Sequence, residues 1–173
     1  VIANHNAPDQ VVLSGPTEAI EAIAARLAAA KITARRLPVA TAFHSPVVAG
    51  ASAEFGQFLQ GIEFARPTAR VYSNTTGSAH GEDPATLKER LGEQLARPVR
   101  FVEMIEAMYA DGVRTFIEVG PGAIQAGLVG RILGDRPHLA LHLDRKGRDG
   151  VTSLLTAIAS LLVDNPRPFT ERM

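Results

Sequence analysis

Apolar residues at the start of the chain are grouped into two short runs that are rich in β-branched side chains. The runs cover residues 1–4 and 11–15, and Pro8 and Asp9 lie between them in a segment that favours a turn. This pattern predicts two paired strands.

A helical period follows the second run. Pro16 is typical of a helix start, and Ile20, Ile23 and Leu27 recur at spacings of three and four, which places them on one helix face. Residues 34–39 then return to a strand-like run. The order strand, strand, helix, strand matches the last four elements of a ferredoxin-like βαββαβ unit whose first strand and helix are absent.

Helical and strand-like segments alternate over the rest of the chain. The predicted helices cover residues 46–60, 84–96, 99–112, 122–133 and 150–163, and the predicted strands cover residues 69–74, 114–120 and 139–143. Strands separated by helices of this length favour parallel crossovers and an α/β sheet with helices on its faces.

Composition narrows the class of protein. A chain of 173 residues with 46% hydrophobic content can bury the core of one soluble globular domain. Its 18 basic and 18 acidic residues cancel, which disfavours nucleic acids and anionic membranes as partners. The absence of Cys excludes thiolate nucleophiles and Cys-type metal sites and fits a cytoplasmic location. The longest apolar stretch, residues 151–163, is too short to span a bilayer.

His44 is the first candidate for chemistry. It follows residues 39–43, which are predicted to be extended, so its ring is expected at the C-terminal end of a strand. Sites in open α/β sheets are built at such ends, and a neutral histidine can take and return a proton near pH 7. A capping or packing histidine is the alternative. Ser45 would face the opposite side of the strand, and no G-x-S-x-G motif occurs, so a nucleophile for His44 would lie outside this sequence.

Three weaker candidates accompany His44 in the sequence. Residues 120–122, Gly-Pro-Gly, resemble a phosphate loop but match neither G-x-G-x-x-G nor the Walker A motif, so a structural turn is favoured. Asn4 and Asn6 share one face of a strand end, where their amides could bind a ligand, although Asn is also common before turns. The remaining histidines lack metal-ligand spacing with carboxylates, so no metal site is predicted; they are His5, His80, His138 and His142.

Five blocks of sequence, taken in order, resemble the acyltransferase domain of type I polyketide synthases, in the malonyl-CoA:acyl carrier protein transacylase family. They are IANHNAPDQVVLSG, ARRLPVATAFHSPVV, VYSNTTG, ARPVRFVEMIEAM and FIEVGPGAIQAGL. The resemblance implies an α/β fold, part of an α/β-hydrolase-like acyltransferase with an inserted ferredoxin-like small subdomain. Residues 1–40 would form the C-terminal part of the small subdomain and residues 41–173 that of the large subdomain.

The resemblance also implies an activity. Members of the family transfer an acyl group, here expected to be malonyl, from coenzyme A to the phosphopantetheine thiol of an acyl carrier protein through a Ser-His acyl-enzyme. No cofactor is expected to stay bound, since the coenzyme A thioester is a substrate. The expected partners are malonyl-CoA, the acyl carrier protein and the N-terminal part of the same domain, with neither nucleic acid nor membrane.

Site residues follow from the resemblance position by position. His44 matches the catalytic base, and Arg100 matches a position whose backbone carbonyl orients the histidine ring. Phe43 matches the residue that selects the extender unit, and Asn6 matches an asparagine near the pantetheine or coenzyme A.

Departures from the family pattern keep other interpretations open. The serine elbow, the arginine for the extender carboxylate and the oxyanion-hole donors belong to a part of the domain that precedes Val1, and the start without Met suggests a piece of a longer chain. Residues 41–44 are TAFH, where malonyl-selective domains commonly have HAFH and methylmalonyl-selective ones YASH. A non-catalytic docking or scaffold module is the main alternative, and a hydrolase is disfavoured.

Overall fold

Seven short strands and six helices make up the described part of the chain, residues 1–39 and 41–164 of this computed structural model. The strands are β1 Ile2–Ala7, β2 Gln10–Leu13, β3 Tyr72–Ser73, β4 Ser78–Ala79, β5 Val99–Arg100, β6 Thr115–Glu118 and β7 Leu139–His142. The helices are α1 Thr17–Ala29, α2 Ala49–Gln60, α3 Pro84–Glu93, α4 Phe101–Ala110, α5 Ile124–Leu133 and α6 Gly150–Asp164. The fold is mixed α/β.

Two compact units divide the chain, Val1–Ala107 and Met108–Met173. The predicted subdomain boundary after residue 40 does not coincide with this division. One reason lies in the first sheet, in which β1 pairs with β5 across that boundary. The division into residues 1–40 and 41–173 therefore stays a prediction about the complete domain.

The first sheet has the strand order β2-β1-β5. Its β1 and β2 pair antiparallel, with Ala7 opposite Gln10, so the predicted hairpin and its turn at residues 8–9 are confirmed. On the other side β1 pairs parallel with β5, with Asn4 opposite Val99. The inward residues Ala3 and Ala7 of β1 are fully buried. The strand β5 was not predicted, because two residues are too few to interrupt a helical pattern.

Residues 34–39 do not form the predicted strand. Residues 32–39 are exposed and belong to no ladder in the described part of the chain. Arg35, Arg36 and Pro38 account for this, because two charges disfavour burial and proline has no amide hydrogen for a ladder. The strand expected over residues 39–43 is likewise not formed at residues 41–43, which lie in a bend and a turn, and Ala40 lies outside the described residues.

The predicted helices are confirmed with shifted ends. The one predicted from residue 46 begins as a single 3-10 turn, Pro46–Val48, before α2. In α3, the Asp83 carboxylate caps the first turn by accepting from the amides of Ala85 and Thr86, and the helix ends at Glu93 rather than at residue 96.

The packing of α2 against α3 is close because glycines meet between them. A Cβ atom built on Gly92 would lie only 3.1 Å from the Cα of Gly56. The Ser52 hydroxyl donates to the Gly92 carbonyl at 2.6 Å. Ser52 lies in the first turn of α2 and Gly92 near the end of α3, so the residues that follow α3 are held close to the start of α2.

The second unit is built on β6 and β7, which pair parallel over four residues with α5 between them in the chain. This confirms the predicted crossover. The buried residues of α5 are Leu128, Val129, Ile132 and Leu133. In the described part of the chain, no helix combines the length and apolar character needed to cross a membrane.

Candidate functional site

His44 lies in a tight turn directly before the 3-10 turn Pro46–Val48. Its φ angle is +57°, in the left-handed region that few residues other than glycine adopt. Such a conformation costs on the order of 1–2 kcal/mol and persists only where the surroundings hold it. Part of that support is the His44 amide, which donates to the Leu95 carbonyl at 2.9 Å.

The ring of His44 faces two backbone carbonyls. Its Nδ1 lies 3.1 Å from the Gln94 oxygen and 3.1 Å from the Arg97 oxygen. Carbonyl oxygens can only accept hydrogen bonds, so Nδ1 must carry a hydrogen and donate it. In the neutral ring the lone pair is therefore on Nε2. The arrangement fixes one tautomer and leaves a basic nitrogen able to take a proton.

The two carbonyls are available because α3 ends just before them. The last carbonyls of a helix have no partner inside the helix. The turn after α3 is held by the Ala96 and Arg97 amides, which both donate to the Glu93 carbonyl at 3.0 and 3.1 Å. The Arg97 guanidinium also donates to both Glu93 carboxylate oxygens, at 3.2 and 3.3 Å. The turn that presents both carbonyls to His44 is thus held in place by these hydrogen bonds.

Arg100 is expected to orient the His44 ring through its backbone carbonyl, and that role stays a prediction for the complete domain. No hydrogen bond joins it to His44 among the described residues; the ring contacts the carbonyls of Gln94 and Arg97 instead. Arg100 lies in β5, its amide donates to the Asn74 carbonyl at 2.6 Å and its guanidinium to the Thr76 carbonyl at 2.9 Å. Arg100 also pairs with His5 in the parallel register of β5 and β1.

Phe43 precedes His44 on the same turn. Its side chain is 50% exposed, so it is not a core residue of the described chain. In a regular strand Phe43 and His44 would face opposite sides. Because the chain turns here instead, that geometric obstacle to a shared pocket is removed.

Asn6 is a half-buried residue of β1. Its side-chain amide has no hydrogen-bond partner among the residues that the structure describes. The neighbouring strand β5 begins two residues after Arg97, so the sheet links Asn6 to the turn that faces His44. Within the described residues, the Asn6 amide is therefore available for a ligand.

A charged cluster that sequence reasoning missed joins β1, β5 and α4. His5 Nδ1 lies 3.3 Å from Glu103 Oε1, and Arg100 Nε lies 3.7 Å from the same oxygen. The pKa of the Glu103 carboxyl is lowered overall. Burial raises this pKa, but the hydrogen bonds from its own backbone amide and from His5, together with the charges of His5 and Arg100, lower it by more. Gly77, whose φ angle is +68°, packs directly against Glu103. A Cβ atom built on Gly77 would lie 2.7 Å from the Cβ atom of Glu103. The cluster braces the sheet that carries Asn6.

The Gly-Pro-Gly turn at residues 120–122 is a structural turn, as favoured from the sequence. The Glu118 carboxylate accepts from the amides of Ile124 and Ala126, at 3.2 and 2.8 Å. These are first-turn amides of α5, which a bound phosphate would otherwise use. The Glu118 carboxylate therefore occupies the position at which a phosphate would bind.

The other histidines have ordinary partners or surroundings. His80 lies beside Arg90, and burial together with that positive charge lowers its pKa. His138 Nδ1 lies 2.7 Å from the Arg136 carbonyl. Within residues 1–39 and 41–164, no three His, Cys, Asp or Glu side chains are grouped so that they could hold a metal ion.

Comparison with known sequences gives consistent matches. The pattern of the family described as "Acyl transferase domain" matches residues 1–135. A malonyl CoA-acyl carrier protein transacylase of Bacillus subtilis is 38% identical over 133 residues, which are 76% of this chain and 41% of that protein. A polyketide synthase of Streptomyces halstedii is 34% identical over 160 residues, 92% of this chain and 2% of that protein.

Solved structures give the same result. The acyltransferase domain from the second module of the salinomycin polyketide synthase is 34% identical, with a TM-score of 0.82 over 93% of this chain and 38% of that one. An acyl-carrier-protein S-malonyltransferase of Burkholderia pseudomallei is 34% identical, with a TM-score of 0.79 over 91% of this chain and 49% of that one. The chain spans less than half of the length of each of these proteins.

Proposed function

The chain belongs to the acyl transferase domain family, and from that premise we propose that it supplies the general base of an enzyme that moves a malonyl group from coenzyme A to the phosphopantetheine thiol of an acyl carrier protein. One observation carries the proposal. The carbonyls of Gln94 and Arg97 fix the hydrogen of His44 on Nδ1 and leave Nε2 as a base.

In the first step Nε2 of His44 takes the proton of a serine hydroxyl while the serine oxygen attacks the thioester carbonyl of malonyl-CoA. The tetrahedral intermediate collapses, the C–S bond breaks, and the imidazolium returns the proton to the departing thiolate. Malonyl-serine and free coenzyme A result. The serine is contributed by a segment outside residues 1–173, and no bound cofactor is needed, because coenzyme A enters as part of the substrate.

In the second step Nε2 takes the proton of the carrier's phosphopantetheine thiol, and the sulfur attacks the malonyl-serine ester. The C–O bond breaks and the proton passes to the serine oxygen, which restores the enzyme. Throughout both steps Nδ1 keeps its hydrogen bonded to the two carbonyls. They perform the orienting task that an aspartate performs in a Ser-His-Asp triad.

The N-terminal part of the same domain is the proposed partner that completes the enzyme. The similar structures are about twice as long as this chain. Three apolar side chains of the second unit, Val119, Ile124 and Val163, are each at least 75% exposed. Coverage of such side chains by the rest of the domain would be favourable. We propose for the complete domain the α/β-hydrolase-like large subdomain and ferredoxin-like small subdomain implied by the sequence.

Asn6 is proposed to hydrogen bond the pantetheine arm of the substrate. Its amide has donor and acceptor atoms that no described residue uses. The pantetheine arm has amide groups of its own, which are matching partners.

Transfer by the complete domain tests the proposed function. The domain, extended by the segment that precedes Val1 in its own protein, is mixed with labelled malonyl-CoA and a phosphopantetheinylated carrier protein. We expect the label to reach the carrier, and only when domain and carrier are both present. A domain that binds the carrier without becoming labelled would favour a scaffold, and release of free malonate in place of transfer would favour a hydrolase.

Replacement of Phe43 by serine is expected to relax the choice of extender unit. A ring beside His44 leaves no room for a methyl branch on the α-carbon of the acyl group, whereas serine opens a space of that size. Discrimination by one methyl group is worth about 1–3 kcal/mol, or roughly 10- to 200-fold. Competition between malonyl-CoA and methylmalonyl-CoA for loading measures the ratio in both proteins.

Phe58→Ser is the matched control, because Phe58 lies on α2 with 65% of its side chain exposed. It should leave the loading ratio unchanged. If the folded Phe43→Ser domain keeps the wild-type ratio, Phe43 is not the selectivity residue.

A further inference from the structure

Ser45 is a buried polar residue in the middle of the turn that carries His44. Only 1% of it is exposed. Its hydroxyl donates to the Ala42 carbonyl at 2.6 Å and accepts from the Val47 amide at 3.3 Å. Both functions of the hydroxyl are therefore used inside the turn.

These two hydrogen bonds connect the backbone before His44 to the backbone after it. Ala42 precedes the histidine by two residues and Val47 follows it by three, so the Ser45 hydroxyl links the backbone on its two sides. The second bond also caps the 3-10 turn Pro46–Val48, with Ser45 itself in an extended conformation. The left-handed φ of His44 is thus fixed from both sides.

The same bonds exclude Ser45 as the nucleophile of the proposed reaction. Its hydroxyl hydrogen is donated to the Ala42 carbonyl, and its oxygen is buried away from any thioester. An attacking serine needs its hydrogen directed at the base and its oxygen accessible to substrate.

We propose that Ser45 is a positioning residue, whose hydroxyl holds the turn in the one conformation that directs Nδ1 of His44 at the carbonyls of Gln94 and Arg97. The inference rests on the proposed function of His44. Loss of the hydroxyl leaves the Ala42 carbonyl and the Val47 amide, whose bonds to it are part-buried, without this partner, and the turn rearranges to satisfy them. A displacement of about 1 Å at a catalytic group can lower a rate by about 100-fold.

The test is single-turnover loading of the complete domain across a range of malonyl-CoA concentrations. In Ser45→Ala we expect the maximal rate to fall by roughly 10- to 100-fold. The half-saturating concentration should stay the same, because Ser45 does not contact substrate. A general loss of structure would not separate the two parameters in this way.

Ser153→Ala is the matched control. Ser153 is also a buried serine, 2% exposed, but its hydroxyl has no hydrogen-bond partner among the described residues. It should load at the wild-type rate. Ser45→Cys is the second variant, used in case the alanine variant does not fold, because the thiol fills the space and is only a weak donor. It should also lower the maximal rate.

The outcomes separate the two proposals. Wild-type maximal rates in folded Ser45→Ala or Ser45→Cys would overturn the role of Ser45, provided that His44→Ala abolishes loading. If His44→Ala itself loads normally, the proposed function fails, and the positioning role fails with it.

Discussion

Replacement of His44 by alanine in the complete acyltransferase domain is expected to abolish loading of the malonyl group onto the enzyme. The physical reason is that Nε2 of His44 is the group that takes the serine proton, and the carbonyls that hold Nδ1 cannot act as bases in its place. Loss of a general base costs about 10²- to 10⁴-fold in rate, and more when base and nucleophile act as a unit. Self-acylation with labelled malonyl-CoA measures the effect.

His80→Ala is the control for this experiment. The His80 ring contacts Arg90 and makes no hydrogen bond to the turn at residues 94–97 in the described chain. It should load like the wild type. Undiminished loading in a folded His44→Ala domain would assign His44 to structure and would remove the basis of the proposed mechanism.

A valine at Gly92 is expected to destabilise the fold and to slow loading together. The first side-chain carbon alone would lie 3.1 Å from the Gly56 Cα, and the two further methyl groups of valine need space that the α2–α3 contact does not have. Overpacking costs about 1–3 kcal/mol in the free energy of unfolding. Because the carbonyls of Gln94 and Arg97 follow α3, a shift of α3 away from α2 also draws them from His44. Denaturant unfolding and single-turnover loading measure the two effects.

Gly50→Val is the matched control, since Gly50 lies at the start of α2 with no atom within 4 Å of an added Cβ. It should leave both measurements close to wild type. A Gly92→Val domain with unchanged unfolding free energy and unchanged loading would show that the close approach of α2 and α3 does not position the carbonyls.

The sequence pattern was sufficient to predict the elements whose interacting residues are close together in the chain. The β1–β2 hairpin follows from β-branched runs around a Pro-Asp turn, and α1 from one apolar face behind a proline start. The parallel pair β6 and β7 follows from two strand-like runs separated by a helix. In each case the signal lies within about 30 residues, the length of a hairpin or a βαβ unit.

The elements that local pattern misses depend on distant partners. The strand β5 exists because β1, nearly 100 positions away in the chain, provides its ladder. Residues 34–39 are predicted as a strand, but no described strand pairs with them, and Arg35, Arg36 and Pro38 disfavour one. Strand formation depends on packing and pairing with neighbours, which composition alone does not reveal.

At the site, the resemblance predicts His44 as the base and Arg100 as the source of its orienting carbonyl, whereas in the described residues the ring contacts the carbonyls of Gln94 and Arg97. A backbone carbonyl carries no side-chain signature, so sequence alone could not select Gln94 and Arg97. The sequence pattern extends this helix to residue 96, whereas it ends at Glu93 and leaves carbonyls without helical partners just after it. The role proposed for Ser45 depends on the burial of its hydroxyl. A Ser-Pro sequence gives no indication of that burial.

The position of the hydrogen on the neutral ring of His44 is the most direct measure of the proposed base. Long-range ¹H–¹⁵N spectra of the complete domain distinguish the two ring nitrogens, and His44→Ala identifies the signals. At a pH where the ring is neutral, we expect the hydrogen on Nδ1 and the lone pair on Nε2. A neutral ring with its hydrogen on Nε2 would contradict the proposal, because Nδ1 could not donate to the carbonyls of Gln94 and Arg97 and Nε2 could not take the serine proton.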